Sequence, residues 1–460
     1  MRKTLALLLT AVLLSLAPSF LSFKSQALVA PPPVKFYTVA NAIPNRYVVV
    51  LATTNLSPIA APAPTPVTTT KSASPSSASS AITPESGVAF DVEGPAPAEP
   101  PVSVTATELT TQYGGTFSLT WSDALKGFLL SANESQAIAM SNDSRVAFVV
   151  QDGAIAVGTP DADPIVLAPD PSGFVNAPPD YFWGLDRINQ RHLPLDQVYA
   201  FTNNGQGVNA YVIDTGILPT HYEFNQRAFA IYDAVDREGG TGIDCNGHGS
   251  HVAGSIGGQT FGIAKQVRLF GVRVLNCQGA GTWSDVIDGV NFVTWHYRRP
   301  EQQGIPALAN MSLGGATNQA ADAAVRNSIR AGVTYVVAAG NGNSDVSTYS
   351  PAGVAEAITV GATNMLDYRA EFSNYGTTLD LFAPGVAIYS AWIGDRHMYA
   401  SASGTSMASP HVAGVVALYL QTNRTASPAT VRSAIVGSST TGVVSNPGEG
   451  TPNRFLFSNY

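Results

Sequence analysis

Ser403-Gly404-Thr405-Ser406-Met407-Ala408-Ser409-Pro410-His411, followed by the apolar run Val412–Leu420, is the stretch on which the reading of this chain turns. Small residues crowd around one hydroxyl and helix-forming residues follow at once, so Ser406 is expected in the first turn of a helix that enters a core. The unpaired amides and the positive dipole end of such a start suit a developing negative charge. Pro410 reads as a first-turn proline, a residue tolerated there and not further in. Taken alone, a small-residue turn carrying serine is also how an ordinary helix begins.

Two other stretches change the reading. Asn209-Ala210-Tyr211-Val212-Ile213-Asp214-Thr215-Gly216 reads as a buried strand ending in a carboxylate. Asn246-Gly247-His248-Gly249-Ser250-His251-Val252-Ala253-Gly254 sets a histidine in a glycine-flanked turn that opens a second helix. A nucleophilic serine needs a base within hydrogen-bond reach and a carboxylate that holds the base in the right tautomer. Rival readings fail on pattern. His248 and His251 lack the spacing and glutamate of H-E-x-x-H, and Asp214-Thr215-Gly216 lacks the second such motif an aspartic-protease dyad needs.

Strand-end Asp, helix-start His and helix-start Ser, in that chain order, resemble the subtilisin-like serine proteases from about Trp183 to near the C-terminus. The resemblance implies that His248 is the general base, that Asp214 orients it, that Ser406 attacks, and that His251 packs a helix. In Val336-Val337-Ala338-Ala339-Gly340-Asn341-Gly342-Asn343, Asn341 matches the family's oxyanion-hole asparagine, acting with the Ser406 amide. Gly279-Ala280-Gly281 and Ser312-Leu313-Gly314 resemble the two edge segments between which an extended peptide pairs. Ala338-Ala339-Gly340 would line the pocket for the side chain before the cut. No charge lies in these stretches, so broad specificity favouring apolar or aromatic residues is expected. Trp183-Gly184-Leu185-Asp186-Arg187-Ile188-Asn189-Gln190 resembles the mature N-terminus of the proteinase K-like branch. That branch implies structural calcium, with no catalytic cofactor: Asp380 with the carbonyls of Ala355 and Ala357 at one site, and Asp186, Asn189, Gln190 and Asp196 at another. Asn189 stands where relatives often carry Asp, which lowers the charge offered to a hard cation.

Composition agrees with an exported enzyme. A net charge of −8 with only 12% charged residues excludes the basic clusters of a nucleic-acid binder. Met1-Arg2-Lys3 and the apolar run that follows read as a secretory signal peptide ending near Ala27, with a membrane anchor as the alternative. In an exported chain Cys245 and Cys277 are expected to pair, two free thiols being the alternative.

Upstream of the motifs, strand 43–51, a patterned stretch from Val102, then 122–130, helix 134–140 and strand 146–151 suggest a small α+β unit. Arg46-Tyr47-Val48-Val49-Val50, Tyr113-Gly114-Gly115, Ala124-Leu125-Lys126-Gly127-Phe128 and Val146-Ala147-Phe148-Val149 resemble the family's inhibitory propeptide. An Ala/Pro/Ser/Thr-rich insertion over 52–101 interrupts it, too poor in apolar residues to fold.

From Gly207, buried strands at 208–213, 267–275, 307–313, 333–338, 357–360 and 379–382 alternate with helices at 283–297, 319–331, 405–421 and 428–435. That alternation predicts an α/β fold, a mostly parallel sheet with helices on both faces, preceded by the small α+β propeptide domain. The expected divisions are a signal peptide over 1–27, a propeptide over 28–153, a linker with the processing site over 154–179, and a catalytic domain over 180–460. The expected protein is an extracellular, monomeric serine endopeptidase acting on peptides and proteins, with its propeptide as intramolecular inhibitor and no membrane or nucleic-acid partner. A protease dedicated to one substrate and an inactive binding protein are the alternatives.

Overall fold

Two sheets organise the structure, a computed structural model that describes residues 35–52, 100–157, 164–167 and 177–460. The first sheet holds β1 (Phe36–Tyr37), β2 (Ala42–Leu51), β3 (Thr116–Trp121), β4 (Gly127–Ser131) and β5 (Val146–Ala156), in the order β1-β5-β2-β4-β3. The helices α1 (Val102–Tyr113) and α2 (Glu134–Ser141) cover one face. Asn133 starts α2 with a reciprocal cap: its Oδ1 accepts from the Gln136 amide, and Gln136 Oε1 accepts from its own amide. Trp121 and Gly127 bound two strands here, where a single segment over 122–130 was expected. Of the expected insertion over 52–101, the described part is its two ends, and the expected signal peptide lies outside the described residues.

β2 shows why its apolar run is continuous. Val49 and Leu51 join the small unit's own core with Leu109 and Met140, while Val48 and Val50 point the other way. Those two enter a core shared with the helices α5 (Trp283–Arg298) and α6 (Gln319–Ala331) of the larger unit. Period-2 alternation is present, but both faces are buried.

After β6 (Pro164–Val166) and α3 (Trp183–Ile188), the chain builds the larger sheet. Its strands are β7 (Asn209–Asp214), β8 (Ala228–Asp233), β9 (Arg268–Arg273), β11 (Ala307–Met311), β13 (Thr334–Ala338), β15 (Ile358–Thr363), β16 (Leu381–Pro384), β19 (Thr440–Thr441) and β20 (Arg454–Phe455). The order is β19-β20-β16-β15-β13-β11-β7-β9-β8, parallel except for β19. Short pieces complete the list: β10 (Ala280–Thr282), β12 (Gly315–Ala316) paired with β14 (Tyr349–Ser350), and the hairpin β17 (Ile388–Ala391) and β18 (Met398–Ala402). The helices α4 (His248–Gly257), α7 (Thr405–Thr422) and α8 (Pro428–Ser438) lie on one face, α5 and α6 on the other. β7 serves both: Ala210 and Val212 face the first set, Tyr211 and Ile213 the second.

Local chemistry sets the helix bounds. Asn318 caps α6 by accepting from the Ala320 and Ala321 amides, and Thr282 and Asp285 form a reciprocal cap on α5. Among the described residues no helix is long and apolar enough to cross a membrane.

Two expectations need correcting. The linker was expected to begin at Ala154, yet Ala154–Ala156 completes β5 and pairs antiparallel with β10, with Ile155 buried. The linker also contains β6, paired with β18. Pro410 is not in the first turn either, because α7 begins at Thr405 and Pro410 is its sixth residue. Proline there removes the amide that would bond to the Ser406 carbonyl. Ser312 Oγ supplies the missing donor to that carbonyl at 2.8 Å, so the helix continues.

Candidate active site

Asp214 ends β7, His248 starts α4, and Ser406 is the second residue of α7. The carboxyl ends of β7 and β11 thus face the starts of two helices, where parallel sheets gather ligands. α4 and α7 pack so closely that a Cβ on Gly414 would meet the Ile256 carbonyl at 3.2 Å. Gly249 lets α4 reach β7, since a Cβ there would lie 2.1 Å from the Gly216 carbonyl.

His248 Nδ1 lies 2.7 Å from Asp214 Oδ1, with both side chains buried. The same carboxylate oxygen accepts the Thr215 amide at 2.7 Å. Burial pushes the imidazole down, but the Asp214 charge and hydrogen bond, helped by Asp244, outweigh it and the His248 pKa is raised. His251 shows the contrast. Its Nε2 lies 3.0 and 3.1 Å from the carbonyls of Ile388 and Ala400, and burial, with the charge of His248, pulls it down to about 3. It is a neutral packing histidine at ordinary pH.

Ser406 is 9% exposed, and its Oγ donates to the Ser312 carbonyl at 2.9 Å. Asn341 Oδ1 accepts both the amide and the hydroxyl of Thr405 at 2.9 Å. That double anchor turns its Nδ2 toward Gly404, beside the turn that carries Ser406. Gly340 is tied to the same turn through its amide and Thr405 Oγ1 at 3.0 Å. Ala338 ends β13 and Ala339 is buried behind it.

The two expected edge segments differ. Ala280, Gly281 and Thr282 pair antiparallel with Ala156, Ile155 and Ala154, and Gly279 accepts from the Val157 amide at 2.9 Å. Ser312-Leu313-Gly314 follows β11 and, among the described residues, pairs with no strand. Ser312 instead exchanges hydrogen bonds with Ser406. Cys245 and Cys277 form a disulfide that ties the loop before His248 to the loop before β10.

Two supporting residues escaped the sequence reading. Asp244, four residues before His248, accepts from Thr215 Oγ1, the amides of Asn246, Gly247 and Ser250, and Ser250 Oγ. It thereby fixes the turn that presents the histidine, and its carboxyl is raised by burial. Asn310, inside an apolar strand, accepts from Ser409 Oγ at 2.7 Å and donates to Ser312 Oγ at 2.9 Å. An Asn amid apolar strand residues and an Asp close before the His were the available signals.

The two expected calcium sites also part ways. Asp186 is buried with both carboxylate oxygens turned to the Asp196 and Gln197 amides, and Gln190 Oε1 points to the same Asp196 amide. Burial and the facing Asp196 raise the Asp186 pKa. Asn189 Oδ1 is buried without a partner. An unpartnered amide oxygen and two facing carboxylates in one short segment are the oxygen donors a hard cation takes. At Asp380 the fit fails: Arg432 Nη2 lies 2.5 Å from its Oδ1, and Arg432 Nε donates to the Ala357 carbonyl at 3.2 Å. Among the described residues no three or more His, Cys, Asp or Glu side chains cluster in a way that holds a metal.

A family model described as the Subtilase family matches residues 205–455. The chain is 49% identical over 337 residues to an extracellular serine proteinase of Thermus sp. (strain Rt41A), covering 73% of this chain and 76% of that protein. It is 40% identical over 344 residues to proteinase R of Parengyodontium album, covering 74% and 81%. A solved structure described as a cold adapted subtilisin-like serine proteinase matches with TM-score 0.57 at 49% identity, covering 60% of this chain and 98% of that one.

Proposed function

The chain belongs to the subtilase family of serine peptidases, and we propose that it is a secreted, self-processed endopeptidase working through Asp214, His248 and Ser406. The observation that carries this reading is the buried 2.7 Å pair of His248 and Asp214, on a helix packed against the one that presents Ser406. Attack begins when Ser406 Oγ turns from the Ser312 carbonyl to His248 Nε2. The hydroxyl proton passes to the imidazole as Oγ bonds to the scissile carbonyl carbon. The oxyanion takes hydrogen bonds from Asn341 Nδ2 and the Ser406 amide. His248 then gives its proton to the amine as the C–N bond breaks; water, deprotonated by the same imidazole, attacks the acyl carbon, and His248 returns that proton to Ser406 Oγ as the acyl–Oγ bond breaks and the acid leaves. Asp244, Asn310 and Ser312 position these groups.

Residues 28–153 and the rest of β5 act as an inhibitory propeptide. The support is the β5 tail on β10, the edge assigned to substrate. Uncharged Ala338, Ala339 and Gly340 favour broad specificity for apolar or aromatic side chains. Asp186, Asn189, Gln190 and Asp196 hold a calcium ion that stabilises the fold and takes no part in the chemistry. The extracellular relatives support export. Casein hydrolysis by the matured protein, abolished by a serine-directed covalent inhibitor, is the expected result. A matured protein that leaves casein intact would overturn the broad reading.

A further inference from the structure

We propose that the pocket around Asp380 holds a guanidinium, that of Arg432, in place of a calcium ion. The chain supplies its own cation there. Asp380 lies directly before β16 and is buried. Both of its oxygens are engaged: Oδ2 accepts the Thr359 amide at 3.0 Å, and Oδ1 faces Arg432 Nη2 at 2.5 Å. The same guanidinium reaches the Ala357 carbonyl through Nε at 3.2 Å. Arg432 therefore bridges a carboxylate and a carbonyl that the family resemblance assigns to one metal.

The arginine is not a loose surface side chain. Ser427 caps α8 by accepting the Thr430 amide, Pro428 occupies its first position, and Val431 and Ile435 anchor it in the core. Arg432 follows Val431, so the backbone that carries it is fixed. One guanidinium balances one carboxylate. A calcium ion in the same pocket needs six to eight oxygen ligands. It would also set two further positive charges beside Arg432 against a single acid. The nearby Glu356 brings no relief, because it faces Arg326 at 3.3 Å. The consequence is a cross-link among α8, β15 and β16 that does not depend on the calcium concentration. It stands apart from the site around Asp186 and from the catalytic reading.

The test counts calcium ions by titration calorimetry on inhibitor-blocked protein, in the parent, Asp380→Asn, Arg432→Ala and the double variant. Parent and Asp380→Asn should bind the same number. Arg432→Ala should bind one more, with a calcium-dependent rise in Tm larger than that of the parent or of the double variant. One ion fewer in Asp380→Asn than in the parent would overturn the proposal, since calcium would then already share the pocket. No additional ion in a folded Arg432→Ala would overturn it as well. If Arg432→Ala does not fold, the comparison of Asp380→Asn with the parent still decides.

Discussion

The small N-terminal unit and the large α/β unit bury their sheets in opposite ways. The larger sheet is covered on both faces by its own helices, and its strands alternate between two internal cores. The smaller sheet owns only one of its covers. α1 and α2 bury Val49 and Leu51, but Val48, Val50, Trp121, Leu125 and Leu129 are buried against the other unit. Trp121 Nε1 also donates to Asp288 at 2.9 Å, and Arg46 pairs with Asp152 at 3.0 Å beneath Ser284. A sheet that borrows half its core suits the inhibitory propeptide proposed for this unit, because its stability depends on staying docked.

In the larger unit, loss of the attacking hydroxyl should be the most damaging change. Ser406→Ala should lower kcat by on the order of 10⁶ and leave the full-length chain uncut, with both units folded and docked. Activity above a trace, or normal maturation, would contradict the assignment. Asn341→Ala should lower kcat by about 10²–10³ with KM unchanged. A change confined to KM would make this side chain a substrate-binding group. On the inhibitor's side, Trp121→Ala should weaken inhibition by the separately added N-terminal unit. The removed ring costs about 3–5 kcal/mol if its docked burial is fully lost, or roughly a 10²–10⁴-fold rise in Ki. An unchanged Ki would mean the borrowed face contributes little to docking. The smallest effect belongs to the bridge. Cys245→Ser with Cys277→Ser opens a loop with a sequence separation of 32 and should cost about 3–4 kcal/mol of stability, read as a lower Tm. Room-temperature kcat should hold, and its collapse would show that the bridge shapes the site.

Legibility followed the same division. α6 was readable to the residue, because Asn318 caps its start and Gly332, with φ of 118°, ends it. β7 and α7 were each legible to within a residue, expected at 208–213 and 405–421 and found at Asn209–Asp214 and Thr405–Thr422, and His248 opens α4 as its glycine-flanked turn suggests. What escaped depends on distant partners. Val48 to Leu51 reads as one apolar run whichever units cover its faces. Ala154–Ala156 carries too little apolar surface to announce a strand, and its partner Ala280–Thr282 is just as small. Pro410 reads as a helix start until Ser312, 94 residues away from Ser406, is seen to satisfy the orphaned carbonyl. Asp380 reads as a metal ligand until Arg432, 52 residues on, is found against it.

In the proposed triad, His248 and Asp214 make Ser406 nucleophilic. Labelling of the matured protein with a fluorophosphonate, followed by peptide mass spectrometry across pH, tests it most directly. Reaction needs neutral His248, and the paired Asp214 raises the imidazole pKa above its ordinary 6.5. The labelling rate should therefore fall as pH drops through a midpoint above 6.5, with the adduct on Ser406 and none in the His248→Ala variant. An adduct on another serine, or a rate that does not change through that range, would contradict the claim.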